Sequence, residues 1–217
     1  MTLERSSNPI LQPSIGANDQ KAVGYRVPTT PQAIALQLRR RENAADAIGE
    51  LTHNLELYIV TKGQFSLIDA IRVLLNQTGP ADLIITTWTA HGHNIEETAG
   101  LLADGKVRSA RFLIDHTFQR RKAHFCGQIR AMFGDDAIRI TKNHAKLVVI
   151  SNEKWKVNIL TSMNLNQNLR LEYLLIRESP ELAAFNESWI SEIFKKKPSA
   201  GQFQQTHAFH EHAFEDE

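Results

Sequence analysis

The chain has 217 residues, of which 42% are hydrophobic, and this length accommodates one well-buried α/β domain but not two full domains. Its 25 Lys and Arg residues almost balance its 24 Asp and Glu residues, and the net charge of +1 argues against a uniformly basic nucleic-acid-binding protein. Any surface that binds anions must therefore be local.

The cysteine content and the apolar runs restrict the compartment. Cys126 is the one cysteine, so no internal disulfide can form, and we predict a buried thiol on a helix. The first residues show no charged segment followed by an apolar core, and no apolar run approaches the roughly 20 residues that span a bilayer. We therefore expect a soluble cytoplasmic protein without membrane contacts.

The two ends of the chain differ in composition from its middle. Residues 1–28 are rich in Ser, Asn, Pro, Gly and Gln without a hydrophobic period, which predicts a flexible N-terminal arm. Residues 198–217 are polar, and we expect a disordered tail there rather than a metal site at His207, His210 and His212. Residues 29–197 are predicted to form the folded domain.

The first half of the domain alternates between helical and strand patterns. Thr30-Pro31 starts a predicted helix that runs to residue 51, with one face formed by Ile34, Leu38, Ala45, Ile48 and Leu51. There follow strand 55–60, a helix from Ser66 to Thr78-Gly79-Pro80, strand 83–87, a helix from Asn94 to Gly105, strand 110–114 and helix 123–133. This alternation predicts helices packed on a substantially parallel sheet.

The second half of the domain contains predicted strands that short connections join, at 137–140, 147–150, 157–160 and 171–176. The segment Ser151-Asn152-Glu153-Lys154 is typical of a hairpin turn. A last helix, 180–194, is predicted to pack its apolar face inward through Leu182, Phe185, Trp189, Ile190 and Ile193. The whole pattern indicates the α/β class, with a mixed sheet and helices on both of its faces.

Polar residues stand where two of these strands begin or end. His144-Ala-Lys146 directly precedes the apolar run 147–150, so strand alternation puts both polar side chains on one face, where they can converge on one ligand. Downstream of strand 157–160 come Thr161, Ser162, Met163 and Asn164, and then Asn168 and Glu172.

This set of residues resembles the motif of the phospholipase D superfamily, which reads His-x-Lys, four residues, Asp, then Gly-Ser-x-Asn, with a further Asn and Glu beyond. The order of predicted elements from residue 55 to residue 176 is also similar to one half of that fold. The resemblance implies a phospholipase D-like mixed sheet flanked by helices on both faces, with one half-site in each chain.

The chemistry of such a site needs three things: a nucleophile, a proton donor for the departing oxygen, and positive charge at the non-bridging phosphate oxygens. The resemblance implies that His144 is the nucleophile, forming a phosphohistidine, or the acid, and that Lys146 clamps the phosphate. It also implies that Ser162 and Asn164 donate hydrogen bonds to phosphate oxygens, and that Glu172 orients a histidine. The mechanism requires no metal ion and no other cofactor.

The chain has one His-x-Lys motif, so it supplies one of the two imidazoles. The second imidazole must then come from another subunit. A twofold axis through the site supplies it most simply, which predicts a homodimer.

The motif departs from the family pattern at two positions. Ser151 stands where the family has Asp, and Thr161 stands where the family has the Gly before Ser162. Ser151 cannot supply a carboxylate, and Glu153 is the nearby residue that can compensate. If the family's Asp secures local geometry, the half-site turns over; if the Asp is essential, the chain is a phosphate-binding relic.

Further candidates for substrate contacts are Trp88, His91, His93, Arg120 and Arg121. The two histidines follow strand 83–87 at its C-terminal end, where open sheets bind ligands. The tryptophan can stack on a base, and the two arginines, like Arg39 to Arg41, can contact a nucleic-acid backbone. The alternative interpretations are loop histidines, a core tryptophan and solvated helix faces.

The sequence therefore favours a metal-independent phosphodiester hydrolase, a nuclease that acts on DNA or RNA as a homodimer. Nucleic acid is favoured over lipid because the family's compact single-motif members are largely nucleases and the chain has no amphipathic membrane-binding segment. Two alternatives remain. One is a catalytically inactive nucleic-acid-binding or assembly protein, which Ser151 favours, and the other is a lipid or small-molecule phosphodiesterase.

Overall fold

The computed structural model describes residues 43–89, 97, 100–101, 104–117, 123–165 and 169–196. The predicted N-terminal arm and C-terminal tail lie outside these residues, as do Arg39 to Arg41. Most of the helix predicted between Asn94 and Gly105 lies outside them as well.

The described residues form one seven-stranded sheet and four α-helices. The strands are β1 (Glu56–Thr61), β2 (Ala81–Thr87), β3 (Val107–Asp115), β4 (Ile138–Thr141), β5 (Leu147–Ser151), β6 (Lys156–Thr161) and β7 (Glu172–Glu178). The helices are α1 (Ala44–Ile48), α2 (Leu67–Thr78), α3 (Ala123–Phe133) and α4 (Pro180–Lys195), with a 3-10 turn at Asp135–Ala137. All seven predicted strands and the three predicted helices that became α2, α3 and α4 are confirmed.

The strand order is β1-β7-β6-β5-β2-β3-β4. The pairs β2–β3 and β3–β4 are parallel, whereas the pairs β1–β7, β7–β6, β6–β5 and β5–β2 are antiparallel. The expectation of a substantially parallel sheet is therefore wrong, because β1 pairs with the distant β7 and the short second-half connections return the chain antiparallel. The predicted mixed sheet is confirmed.

Helices cover both faces of the sheet, as predicted. The larger buried cluster joins α1, α2 and α3 to the face of β5 and β6 that carries Val148 and Val157. The smaller cluster joins α4, through Ala183 and Ile190, to the opposite face at Ile84 and Val149. The fold is therefore an α/β sandwich of three layers in which α4 alone, among the described helices, contacts the second face.

The predicted helix from residue 30 to residue 51 is interrupted. Asn43 has an extended backbone, with φ of −146°, and its side chain accepts a hydrogen bond from the Asp46 amide, so Asn43 caps a new helix. This helix, α1, ends at Gly49, whose φ of 66° a glycine adopts without strain. One continuous helix is therefore wrong, and Ala45, predicted on the inner face, is exposed while Ala44 is buried.

Cys126 and the described helices can be compared with what the composition predicts. Cys126 lies on α3 with 1% of its surface exposed, and burial raises the pKa of its thiol to about 12, which confirms a buried thiol on a helix. None of the described helices is both long enough and apolar enough to cross a bilayer.

The turn between β5 and β6 is held by a buried amide. Asn152 donates from Nδ2 to the carbonyl oxygens of Thr78 (3.0 Å) and Pro80 (3.2 Å), and its Oδ1 accepts from the amides of Lys154 (2.9 Å) and Trp155 (2.8 Å). This one side chain therefore shapes the hairpin and ties it to the end of α2. The predicted hairpin turn is confirmed.

Replacing Asn152 by Ala is expected to lower the free energy of unfolding by roughly 1–3 kcal/mol, because buried backbone groups lose their partner. Urea denaturation followed by circular dichroism measures the change. The matched control is Glu153→Ala, one residue on, because the Glu153 side chain is 83% exposed and pairs only with Arg108 at 2.7 Å. The control should change stability much less, since exposed ion pairs contribute little. Equal losses in the two variants would contradict this account of the turn.

Candidate functional site

The motif residues meet at one edge of the sheet, the edge that the ends of the central strands form. Because β5, β6 and β7 are successive antiparallel neighbours, the start of β5, the end of β6 and the start of β7 lie side by side. Two hydrogen bonds continue the ladders past the strand ends: the Thr161 amide donates to the Lys146 carbonyl (3.2 Å), and the Ser162 amide donates to the Tyr173 carbonyl (3.3 Å). The C-terminal end of the parallel strand β2 lies at the same edge, next to the start of β5.

His144 and Lys146 converge, as the strand pattern indicates. The Lys146 Nζ atom lies 3.3 Å from Nδ1 of His144 and donates to the His144 carbonyl oxygen at 2.8 Å. His144 is exposed and Lys146 is half-buried. No other described residue hydrogen-bonds the His144 ring, so its Nε2 is open to a ligand.

The half-buried ammonium has an altered acidity. Burial lowers the pKa of Lys146 below its ordinary value, and the negative charge of Glu172 opposes this shift by raising it. Lys146 alternates with Val148 and Ile150 along β5, and Glu172 alternates with Leu174 and Ile176 along β7, so both face the side of the larger buried cluster. A cation and a carboxylate therefore share this end of the sheet.

Ser162 and Glu172 are joined directly. The Ser162 hydroxyl donates to Glu172 Oε2 and accepts a hydrogen bond from the Tyr173 amide at 3.1 Å. The neighbouring Thr161 hydroxyl donates to the Tyr173 carbonyl and accepts from the Met163 amide at 3.0 Å. Thr161, which replaces the family's Gly, thus fixes the loop that presents Ser162. The implied role of Glu172 in orienting a histidine stays a prediction.

Asn164 carries an unused acceptor. Its Oδ1 is buried, and no hydrogen-bond partner for it is found among the described residues. The next residue is anchored, since the Leu165 amide donates to the Thr89 carbonyl (3.2 Å) and to the Thr87 hydroxyl (3.3 Å). A buried amide oxygen without a partner is unfavourable, so Oδ1 of Asn164 can accept a hydrogen bond from a donor that enters the site.

Trp88 stands beside the candidate imidazole. It directly follows β2, is half-buried, and its ring centroid lies 5.6 Å from that of His144 with the planes inclined at 55°. The structure therefore places this predicted substrate-contact residue at the site edge. The other predicted contacts, His91, His93, Arg120 and Arg121, lie outside the described residues, as does Asn168.

Asn143, which the sequence reading missed, positions the start of β5. Its buried amide donates to the carbonyl oxygens of Thr87 (3.2 Å), Leu113 (3.2 Å) and Ala145 (3.4 Å), and its Oδ1 accepts from the Ala145 amide at 3.1 Å. The amide therefore ties the residue before His144 to both β2 and β3. The signal available in the sequence was only the tendency of Asn to bond its own backbone two residues on.

Asp115 holds the same loop from the end of β3. It is 5% exposed and accepts hydrogen bonds from the Thr117 hydroxyl, from the Thr117 amide and, at 2.9 Å, from the Asn143 amide. Nδ1 of the half-exposed His116 lies 3.2 Å from its Oδ2. Burial acts to raise the pKa of Asp115, but these hydrogen bonds outweigh it and hold the pKa well below its usual range.

Ser151 and Glu153 lie away from the site. Ser151 ends β5, whereas His144 and Lys146 precede its first residue. Glu153 follows in the turn, where its carboxylate pairs with Arg108. The hypothesis that Glu153 compensates for the family's Asp stays a prediction. Within the described part of the chain, no group of three or more His, Cys, Asp or Glu side chains is arranged to hold a metal ion.

Solved structures with folds similar to that of this chain include a kinase and NucT. No protein-family model and no curated protein matches the chain. A polyphosphate kinase from Porphyromonas gingivalis is similar, with a TM-score of 0.48 and 13% identity over 67% of this chain, which spans 27% of the kinase chain. NucT from Helicobacter pylori has a TM-score of 0.47 and 13% identity over 65% of this chain and 96% of NucT. Both scores are too low to carry an argument about family or activity.

Stability below pH 5 is expected to depend on Asp115. Because its folded-state pKa lies below the value of about 3.9 in an unfolded chain, the unfolded state takes up the proton first. The contribution of Asp115 is therefore complete above that unfolded value and is lost as the pH falls through it towards the folded-state pKa. Asp115→Asn should be less stable at neutral pH and should lose less stability on acidification.

Urea unfolding between about pH 7 and pH 2 measures this difference. The matched control is Asp136→Asn, which removes a carboxylate whose side chain is 98% exposed. A slope of stability against pH that Asp115→Asn shares with the wild-type protein would overturn the assignment.

Proposed function

We propose that this chain is a metal-independent phosphodiesterase of the phospholipase D superfamily, a nuclease that cleaves DNA or RNA in a site completed by a second copy. The observation that carries the proposal is the contact of Lys146 with His144 at the same sheet edge as Ser162, Glu172 and Asn164. These are the residue types that the motif requires, on three neighbouring strand ends.

The proposed reaction has two steps, formation of a phosphohistidine and its hydrolysis. Nε2 of one His144 attacks phosphorus, a P–N bond forms, the P–O ester bond breaks, and His144 of the second copy gives its proton to the departing oxygen. That second imidazole then removes a proton from water, the water oxygen bonds to phosphorus, and the P–N bond breaks. Attack through Nε2 needs the proton on Nδ1, so Lys146 leaves Nδ1 and turns to the phosphate.

The remaining polar groups bind the non-bridging oxygens. The Lys146 ammonium supplies positive charge, Nδ2 of Asn164 supplies a donor, and the Ser162 hydroxyl supplies a second donor when it turns from Glu172 to the phosphate. Glu172 holds Ser162 and balances the charge of Lys146 when no phosphate is bound. Trp88 places an aromatic ring beside His144, and a site with an aromatic side chain favours nucleic acid over a lipid headgroup.

The position of Ser151 supports turnover over a binding-only protein. The family's Asp would stand at the far end of β5 from His144, where Asn152 already holds the turn through four hydrogen bonds. Replacing that Asp by Ser therefore removes no charged group from the site edge. The half-site keeps its imidazole, ammonium and hydrogen-bond donors.

Purified protein is expected to cleave DNA or RNA in excess chelator, and His144→Ala should lower the rate by at least about 10³-fold because the nucleophile is lost. Single- and double-stranded forms of both nucleic acids, with gel readout, identify the substrate. The matched control is His53→Ala, a histidine that stacks on Trp155 away from the site and should retain activity. Loss of cleavage in the presence of chelator would contradict the metal-independent mechanism. Binding without cleavage would favour an inactive nucleic-acid-binding protein.

Subunit mixing tests the composite site. If each active unit needs two intact copies of His144, mixing equal amounts of wild-type and His144→Ala protein should lower the wild-type activity to about half after exchange, because half of the intact copies enter inactive hybrids. The measurement is the cleavage rate against time after mixing. Activity that stays at the wild-type value while hybrids form would show that one copy suffices.

A further inference from the structure

A buried hydroxyl in β2 holds the main chain on both sides of Lys146. Thr86 is 0% exposed, and its Oγ1 donates to the Ala145 carbonyl oxygen at 3.0 Å and accepts from the Leu147 amide at 3.1 Å. Thr86 and Leu147 are the last paired residues of β2 and β5, so the bond to Ala145 extends the contact between the strands beyond their ladder. The two bonded groups belong to the two peptide bonds of Lys146.

Thr86 acts on Lys146 through the main chain and not by contact with its ammonium. Along β2, Ile85 packs in the larger buried cluster and Ile84 in the smaller one, so alternation places Thr86 with Ile84 on the face that α4 covers. Lys146 alternates with Val148, which faces the larger cluster. The hydroxyl and the ammonium therefore lie on opposite faces of the sheet, and the hydroxyl does not compete with a phosphate for the lysine.

The strand on the other side of β5 completes the anchoring of Lys146. The Lys146 carbonyl accepts from the Thr161 amide of β6 at 3.2 Å, so β2 and β6 hold this residue from opposite directions. A lysine side chain is long and flexible, and its ammonium is well placed only when the main chain from which it extends is fixed. The ammonium that depends on this anchoring is the one that bonds the His144 carbonyl oxygen and lies beside the His144 ring.

We infer that Thr86 is a positioning residue of the candidate site, whose buried hydroxyl fixes the main chain of Lys146 and thereby the place of its ammonium beside His144. The catalytic consequence of this inference rests on the proposed function. Valine has nearly the shape of threonine but no hydroxyl, so Thr86→Val would leave the buried Leu147 amide without the partner that Thr86 provides. The start of β5 would then move to bond this amide in another way, and the ammonium would move with it.

The first test compares cleavage by three variants. Thr86→Val should lower kcat for the nucleic acid that the wild-type protein cleaves by about 10- to 100-fold, because a misplacement of about 1 Å costs a rate of this order. Thr86→Ser keeps the hydroxyl and should stay within about threefold of the wild-type kcat. The matched control is Thr78→Val, which removes a buried hydroxyl that donates to the Gly79 carbonyl oxygen at the end of α2. This control should keep the wild-type kcat.

Urea unfolding of the same variants separates positioning from a general loss of stability. Thr86→Ser loses a buried methyl group and Thr86→Val loses buried hydrogen bonds, so both are expected to be less stable than the wild-type protein. Only the variant without the hydroxyl should lose kcat. A kcat that falls with stability across the three variants, whichever group was removed, overturns the inference.

The second test needs no cleavage, because it follows the ammonium itself. Burial lowers the pKa of Lys146, and this effect exceeds the opposing effect of the Glu172 charge. Release of the main chain in Thr86→Val should expose the ammonium to water and raise its pKa towards the ordinary value, whereas Thr86→Ser and Thr78→Val should leave it unchanged. An NMR titration of protein labelled with ¹³C at the lysine ε carbon measures the pKa, and Lys146→Arg identifies the signal.

The two tests distinguish failure of this inference from failure of the proposed function. A Lys146 pKa that Thr86→Val leaves at the wild-type value overturns the inference, and so does a wild-type kcat in that variant. If the wild-type protein cleaves no nucleic acid but the pKa rises in Thr86→Val and not in Thr86→Ser, Thr86 positions the cation and the nuclease proposal is wrong.

Discussion

The site depends on the buried amide of Asn143, which connects the start of β5 to β2 and β3. Four hydrogen bonds of its side chain and one from its backbone to Asp115 fix the chain immediately before His144. Such an amide is costly to bury unless it is fully bonded, so the geometry allows few alternatives. The exposed imidazole therefore stands on a rigid base, as the proposed catalytic role of His144 requires.

The electrostatics of the site are local, which reconciles the proposed anion-binding edge with a net charge of +1. A half-buried ammonium meets less competition from water than one on the surface, so its attraction for an opposite charge is stronger. Glu172 lies near enough to raise the pKa of Lys146 against the effect of burial, and it thereby opposes the loss of the lysine proton. The same carboxylate accepts the Ser162 hydroxyl, so it connects the cation of β5 to the loop after β6.

Capping and turn residues in the sequence predicted most helices and strands. The pairing of strands that are far apart in the chain could not be predicted from them. Ser66 and Asp69 form the full capping box that begins α2, and the Asn152 turn follows from turn chemistry. In contrast, nothing in β1 indicates β7 as its neighbour, because the pairing joins segments far apart in the chain. The break at Asn43 was missed because the apolar period continues across it, although Asn is a preferred helix cap.

The motif residues could be found from the sequence because they occupy fixed spacings next to apolar runs. The residues that hold the motif in place could not be found in this way. Asn143 and Asp115 act between different strands, and a contact of that kind leaves no period in a single sequence. The Ser151 departure illustrates the same limit. A spacing rule counts it as a defect of the motif, but Ser151 ends β5 next to the turn that Asn152 holds.

Alternation along β7 gives the two sides of one strand end different surroundings. Glu172 faces the side of the buried cluster, whereas Tyr173 projects from the opposite face. The backbone of Tyr173 bonds both Thr161 and Ser162, so β7 carries the Ser162 loop as well as Glu172. Because β7 lies between β1 and β6 in the sheet, ladders on both of its sides hold it, and the Ser162 loop is therefore fixed relative to the start of β5, where His144 and Lys146 stand.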